Sequence, residues 1–237
     1  MLVAPGTWQW QSGEPIRRLM GRVFGLLSFG FIARLDAERA KAFGVGVWAH
    51  DPFVEEGEMR AHQVRPVSFG ELVEGGDYLL IQAPLTPRTR HTFDRATPRR
   101  MKPTAVLVNT APGPIVEDTA IHQALAEGWT AGAALDDLEE EPAKRRGRRP
   151  RDPLFTLPNV IITPHAAYYS EQAIATVRRI AAQEAVRVLT GQPARYPVNE
   201  VPAGAPEPGA RPRHPPSRRR PPPAQGGAAD HPAGGGS

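Results

Sequence analysis

Glu141 and His165 hold the first chemistry this sequence offers: a carboxylate 24 residues ahead of a histidine at a strand end can make a proton-transferring dyad. Each also has a plainer reading. Glu141 closes the acidic run Asp136-Asp137-Leu138-Glu139-Glu140-Glu141, and such runs usually form solvated loops, while His165 alone could be a satisfied strand-end histidine. Cysteine is absent, which excludes thiol catalysis, disulfides and thiolate metal sites. No metal-ligand set is read.

A second group of residues addresses a dinucleotide. Ser28-Phe29-Gly30-Phe31-Ile32-Ala33 follows a hydrophobic run and opens a helical pattern, as a weakened G-x-G-x-x-G fingerprint with Ser and Ala at the outer glycines. Gly30 is the critical survivor, because a side chain there would hold the backbone away from a pyrophosphate drawn to the helix N-terminus. Asp51 stands 21 residues on, where a carboxylate can bond the ribose hydroxyls and repel a 2′-phosphate. That choice favours NAD.

Those residues need a scaffold of alternating elements. Short unalternated apolar runs at 24–27, 45–49, 78–81, 105–108, 131–135 and 160–162 read as buried strands. Between them lie helical signals. Residues 32–43 stop at Gly44, Ser68 and Glu71 form a capping box, Thr97-Pro98 reads as an N-cap before an N1 proline, and Asp118 reads as the cap of 119–127. A longer helix is expected over 170–190, with Ile174, Val177, Ala181 and Val188 along one face. The alternation predicts an α/β fold with a doubly wound parallel sheet.

The 237 residues can hold one sizeable core and part of a second domain, and no run of about 18 apolar residues is present to span a membrane. A cytoplasmic location is the expectation. The net charge of +4 suggests a nucleic-acid binder only until its distribution is read. From Ala203 onward five arginines face only Glu207 and Asp230, and Lys144 to Arg151 adds six positive charges, so the rest of the chain sums to about −5. Nucleic acid is therefore not the expected partner. Residues 203–237, with nine prolines and seven glycines, are expected to be a disordered tail.

Taken in order, the motifs resemble the D-isomer-specific 2-hydroxyacid dehydrogenase family. The likeness is carried by Ala42-Phe43-Gly44, Asp51-Pro52, Pro84-Leu85-Thr86, Met101-Lys102-Pro103, Asn109-Thr110-Ala111, Ala134-Leu135-Asp136, Glu141-Pro142 and Thr163-Pro164-His165. Pro164 to Ala173 looks most like the branch of the C-terminal-binding-protein corepressors. The resemblance implies a Rossmann-type NAD-binding domain over 21–166 after an N-terminal segment 1–20. It also implies that 167–202 form a long helix returning to a remnant of the substrate domain. By the same resemblance, a hydride passes between the nicotinamide and C2 of a small 2-hydroxy or 2-keto acid. His165 is the acid/base, and Glu141 orients its ring and stabilises its charged form. Asp136 contacts the nicotinamide amide, and Gly30, Phe31, Ile32, Asp51, Ala83, Pro84, Leu85, Thr110, Ala111 and His165 line the cofactor groove. Tyr168 and Tyr169 either wall the substrate pocket or pack under the long helix. A homodimer is the family expectation.

Two departures bear on activity. Pro112 occupies the position of the family's substrate-binding arginine, and proline has neither charge nor side-chain donor. The first cofactor strand begins near Phe24, so most of the substrate domain is expected to be missing. Impaired oxidoreductase activity follows, with two alternatives: an NAD-gated, corepressor-like interaction module, or a truncated relative without function.

Overall fold

The computed structural model describes residues 15–139 and 153–197. Contacts divide the chain after Tyr169, with the second unit starting at Ser170.

The first unit is built on seven parallel strands: β1 (Val23–Leu27), β2 (Gly46–His50), β3 (Arg65–Pro66), β4 (Tyr78–Ile81), β5 (Val106–Asn109), β6 (Gly132–Leu135) and β7 (Val160–Ile162). Their order in the sheet is β3-β2-β1-β4-β5-β6-β7. The chain therefore winds outward from β1 in one direction, then returns to β4 and winds in the other. The crevice between the carboxyl ends of β1 and β4 is the topological switch point at which such sheets bind ligands.

Strand alternation explains why the sheet needs cover on both faces. In β4, Leu79 and Ile81 join one core with Phe93, Leu107, Ile115 and Ile121, while Leu80 joins the other with Leu26, Phe29 and Met59. Helices supply that cover. α1 (Phe31–Lys41) buries Ala33, Ala37 and Ala40, whose small side chains let it lie close to the strands. α2 (Glu56–Ala61) buries Met59 and α3 (Phe69–Gly75) buries Leu72 and Val73; α4 (Thr97–Arg100) and α5 (Asp118–Ala126) complete the unit.

Six strands fall where the apolar runs placed them, within a residue or so at each end. The seventh, β3, is too short to show a pattern, and its Pro66 is tolerated because the strand lies at the sheet edge. α2 was likewise not expected. The Ser68–Glu71 capping box is present in both directions. Two other cap assignments are corrected. Thr97 lies inside α4, where the Asp94 carboxylate accepts from the Ala96 and Thr97 amides and the Thr97 hydroxyl donates to the Thr92 carbonyl. Asp118 lies inside α5 and accepts from the Glu139 amide instead of capping its own helix.

In the second unit, α6 (Glu171–Leu189) is capped by the Ser170 hydroxyl, which accepts from the Ala173 amide at 3.0 Å. None of its residues is buried, so the stripe of Ile174, Val177, Ala181 and Val188 is amphipathic without being a core. Among the described residues, no helix is long and apolar enough to cross a membrane. The expected tail at 203–237 and the basic segment 144–151 lie outside the described residues.

Candidate cofactor and catalytic site

All the cofactor and catalytic residues read from the sequence lie at or beyond the carboxyl ends of the strands, apart from Glu141, which lies outside the described residues. The turn after β1 is held by Asp51. One carboxylate oxygen accepts from the Ser28 hydroxyl at 3.0 Å and the Phe29 amide at 2.8 Å; the other accepts from the Phe53 amide at 2.9 Å. Ser28 has φ +81°, a left-handed conformation that glycine adopts without strain. Its hydroxyl bond to Asp51 offsets part of that strain. Ser28→Ala keeps the strain and removes the bond, so a loss of about 1 kcal/mol is expected in chemical denaturation.

Gly30 is the N-cap of α1 at φ −77°, and a Cβ built on it would meet nothing within 4 Å. Neither conformation nor protein packing demands glycine there. No side chain caps this helix, and the amides of its first turn are the groups that bind anions. The open space at Gly30 therefore fits a ligand's diphosphate lying over the first turn. Gly30→Ala should cost the fold under about 1 kcal/mol while lowering NADH affinity at least tenfold, measured by thermal melting and fluorescence titration of the same samples. Phe31 and Ile32, read as cofactor-lining, are both exposed beside it.

A groove of about 580 Å³ opens beyond β2, lined by Asp51, Phe53, Val67, Glu55 and Glu56 among others, with no lysine or arginine among its lining residues. Such a rim suits ribose hydroxyls and opposes an added phosphate. At the end of β4, the Gln82 amide donates to Asp36 at 2.8 Å and to the Thr110 hydroxyl at 3.3 Å, joining α1 to the ends of β4 and β5. Burial pushes the Asp36 carboxyl up, against the opposing effects of Gln82 and Arg39. Ala83 and Ala111 are buried, whereas Pro84, Leu85 and Thr110 are exposed on the same side of the sheet.

Pro112 is exposed at φ −54° and ψ 134°, at the start of a 3-10 turn over Gly113–Ile115. Asn109 beneath it is fully buried; its side-chain oxygen accepts from the Ala111 amide, and its side-chain NH2 has no partner among the described residues. The turn itself, Thr110 to Ile115, contains no arginine. Arg99 stacks over Trp129, Arg100 bonds Glu74 at 2.9 Å, and Arg90 stands 3.6 Å from Glu139.

Asp136 and Asp137 follow β6, and both are buried. Asp136 fastens the loop after β7: it accepts from the Thr163 hydroxyl and from the Ala166 and Ala167 amides, while its carbonyl accepts from the His165 amide. Burial opposes its ionised form, but Thr163, the two amides and the neighbouring His165 outweigh that, so its carboxyl lies below the ordinary aspartate value. A depressed pKa means stability that is present above about pH 4, the ordinary aspartate value, and lost as pH falls through the lower folded value. Asp136→Ala should therefore cost about 3 kcal/mol at pH 7 and progressively less in acid, as read from denaturant midpoints at pH 7 and pH 3.

His165 sits in that loop at φ +52°, half-exposed, with Tyr168 edge-on at 5.9 Å. Its Nδ1 lies 3.8 Å from Asp137, a carboxylate that in the sequence is one of an acidic run. His91 and Glu139, in contact at 2.6 Å, form a second histidine-carboxylate pair that was equally hidden. Tyr168 and Tyr169 are both exposed.

Residues 2–167 match the D-isomer specific 2-hydroxyacid dehydrogenase, NAD binding domain. The chain belongs to that family. It is 36% identical over 195 residues to a D-3-phosphoglycerate dehydrogenase of Methanocaldococcus jannaschii, covering 82% of this chain and 36% of the relative. A glyoxylate reductase of Korarchaeum cryptofilum is 37% identical over 172 residues, covering 73% of this chain and 50% of the relative. In fold the chain is similar to the NAD-complexed D-isomer specific 2-hydroxyacid dehydrogenase of Lactobacillus delbrueckii ssp. bulgaricus, at a TM-score of 0.73 and 29% identity, covering 80% of this chain and 60% of that one. The chain thus spans between about a third and a half of the length of these curated relatives. Its cofactor is NAD, for which the family's domain is named.

Proposed function

We propose that this chain is an NAD-dependent oxidoreductase of the D-2-hydroxyacid dehydrogenase type, acting on a small 2-hydroxy or 2-keto acid, with activity curtailed at Pro112. The observation that carries the first half is the pairing of an open Gly30 at the α1 N-terminus with Asp51 at the end of β2. NAD, when bound, supplies the hydride chemistry. The chain's own residues bind and orient. Amides of the first turn of α1 hold the diphosphate. Asp51 accepts from the ribose hydroxyls, with Gly30, Phe31, Ile32, Ala83, Pro84, Leu85, Thr110 and Ala111 along the groove.

His165 holds or releases the proton at the C2 oxygen, its backbone fixed through Asp136. Glu141 is the family's carboxylate partner of that histidine. Asp136 fastens the loop that carries His165, and a carboxylate with three of its roughly four acceptor sites used still has one for the nicotinamide amide. Pro112 offers no charge to the acid's carboxylate. The organisation goes with this reading: an N-terminal segment 1–20, the NAD-binding domain 21–166, a long helix with its return over 167–202, and a tail from 203.

Steady-state assays with NADH and glyoxylate, pyruvate or hydroxypyruvate test the proposal. Slow turnover abolished by His165→Gln is expected; fast turnover would refute the role given to Pro112, and turnover indifferent to His165→Gln would refute the dyad.

A second reading is the corepressor-like, NAD-gated interaction module, to which the residues from Pro164 to Ala173 are similar. It is favoured by the exposed apolar side chains along α1 and in the turn that follows it, with Phe31 91% exposed and Ile32, Leu35 and, in the turn, Phe43 also open. Homodimerisation through that face would raise the mass on adding NADH. Unchanged mass by light scattering, with and without NADH, would dismiss it.

A further inference from the structure

Asp137 is buried between two parts of the site. Its carboxylate accepts from the Gly113 amide at 3.2 Å and the Leu138 amide at 2.7 Å, and it stands 3.8 Å from Nδ1 of His165. Two fixed amides leave the carboxylate little room to turn away. We infer that Asp137 is a positioning residue for His165: its carboxylate faces the Nδ1 side of the imidazole and ties the ring to the turn that begins at Pro112.

The separation is too long for a direct hydrogen bond, so the link is electrostatic, closed by a small ring rotation or a bridging water. Its direction is nonetheless fixed. An ionised carboxylate accepts only, so it favours the ring form with a proton on Nδ1 and disfavours one whose Nδ1 lone pair points at it. The ring is half-exposed, which weakens the attraction, but Asp137 itself is 4% exposed and keeps most of its field. Asp136 and Tyr168 also stand beside the ring, Asp136 with its oxygens committed to the loop and Tyr168 through its edge. Proton exchange with a bound acid then runs through Nε2. The functional meaning rests on His165 being the proton carrier, as proposed above.

The test is nitrogen-15 NMR of the imidazole side chains, with His165 assigned by His165→Gln. In the native chain the Nδ1-protonated form should predominate. Asp137→Asn, which preserves size and one acceptor for the amides, should lower that fraction at least twofold, both alone and in a Glu141→Gln background. Unchanged His165 nitrogen shifts in both backgrounds would overturn the inference. Should Asp137→Asn not fold, the carboxyl carbon-13 signal of Asp137 in the native chain decides. At one fixed pH it should shift on His165→Gln, a change at a half-exposed side chain; an unchanged signal overturns the inference. Neither measurement uses cofactor or substrate, so its failure is separate from failure of the dehydrogenase reading.

Discussion

Replacing Pro112 by arginine raises the turnover of a small 2-keto acid by NADH on the order of 10² to 10³-fold, the usual worth of one preorganised electrostatic donor. The backbone can accept the change. At φ −54° and ψ 134° the residue has a conformation open to any side chain, and it is exposed, so a long side chain meets no packed core. The turn's own residues carry no charge, and Arg99 and Arg100 are held by Trp129 and Glu74. A guanidinium fits a carboxylate with two parallel bonds, whereas an ammonium presents a point charge, so Pro112→Lys should recover less. Steady-state kinetics of the three proteins at one NADH concentration check the order. Equal rates for all three would place the defect elsewhere than in this turn.

Gly113→Ala should be the most damaging single-methyl change next to the site. A Cβ there would lie 2.1 Å from the Leu138 carbonyl oxygen, far inside any real contact, and the obstacle is backbone. Leu138 cannot readily retreat: its amide is bound to Asp137, and the next amide, of Glu139, is bound to Asp118. A loss of about 3 kcal/mol or more is expected, lowering the melting midpoint by roughly 6 to 12 °C for a chain of this size. The site goes with it, because the Gly113 amide also fixes Asp137. Gly57→Ala is the control. Its Cβ would meet nothing within 4 Å, and in a helix alanine is favoured over glycine by roughly 0.5 to 1 kcal/mol, so that variant should melt no lower than the native chain. Similar midpoints for the two variants would show that the turn yields where the geometry says it is locked.

The contrast between these glycines shows what could be read from the chain and what could not. Runs such as Tyr78–Ile81 are continuous because both faces of a parallel strand are covered, and that pattern survives in one dimension. So does the distance from Gly30 to Asp51, which a single βαβ unit sets. Gly113 and Gly57 look alike as letters, and only the approach of Leu138 separates them. Asp137 was hidden for the same reason. Among consecutive acidic residues, only the family resemblance marks Glu141, while tertiary structure turns Asp137 inward toward His165 and Glu139 toward His91. The caps at Thr97 and Asp118 failed because nearby carboxylates and amides from other segments competed for the same groups. Strand β3, two residues long, carries no pattern to read.

The central claim is that the crevice beside Gly30 and Asp51 holds NAD. Calorimetric titration of NADH and NADPH into the native chain and Asp51→Ala tests it most directly. One NADH per chain is expected, with NADPH at least tenfold weaker and the difference shrinking in the variant. No heat of binding from NADH at millimolar concentration, or equal affinity for NADH and NADPH in the native chain, would contradict it.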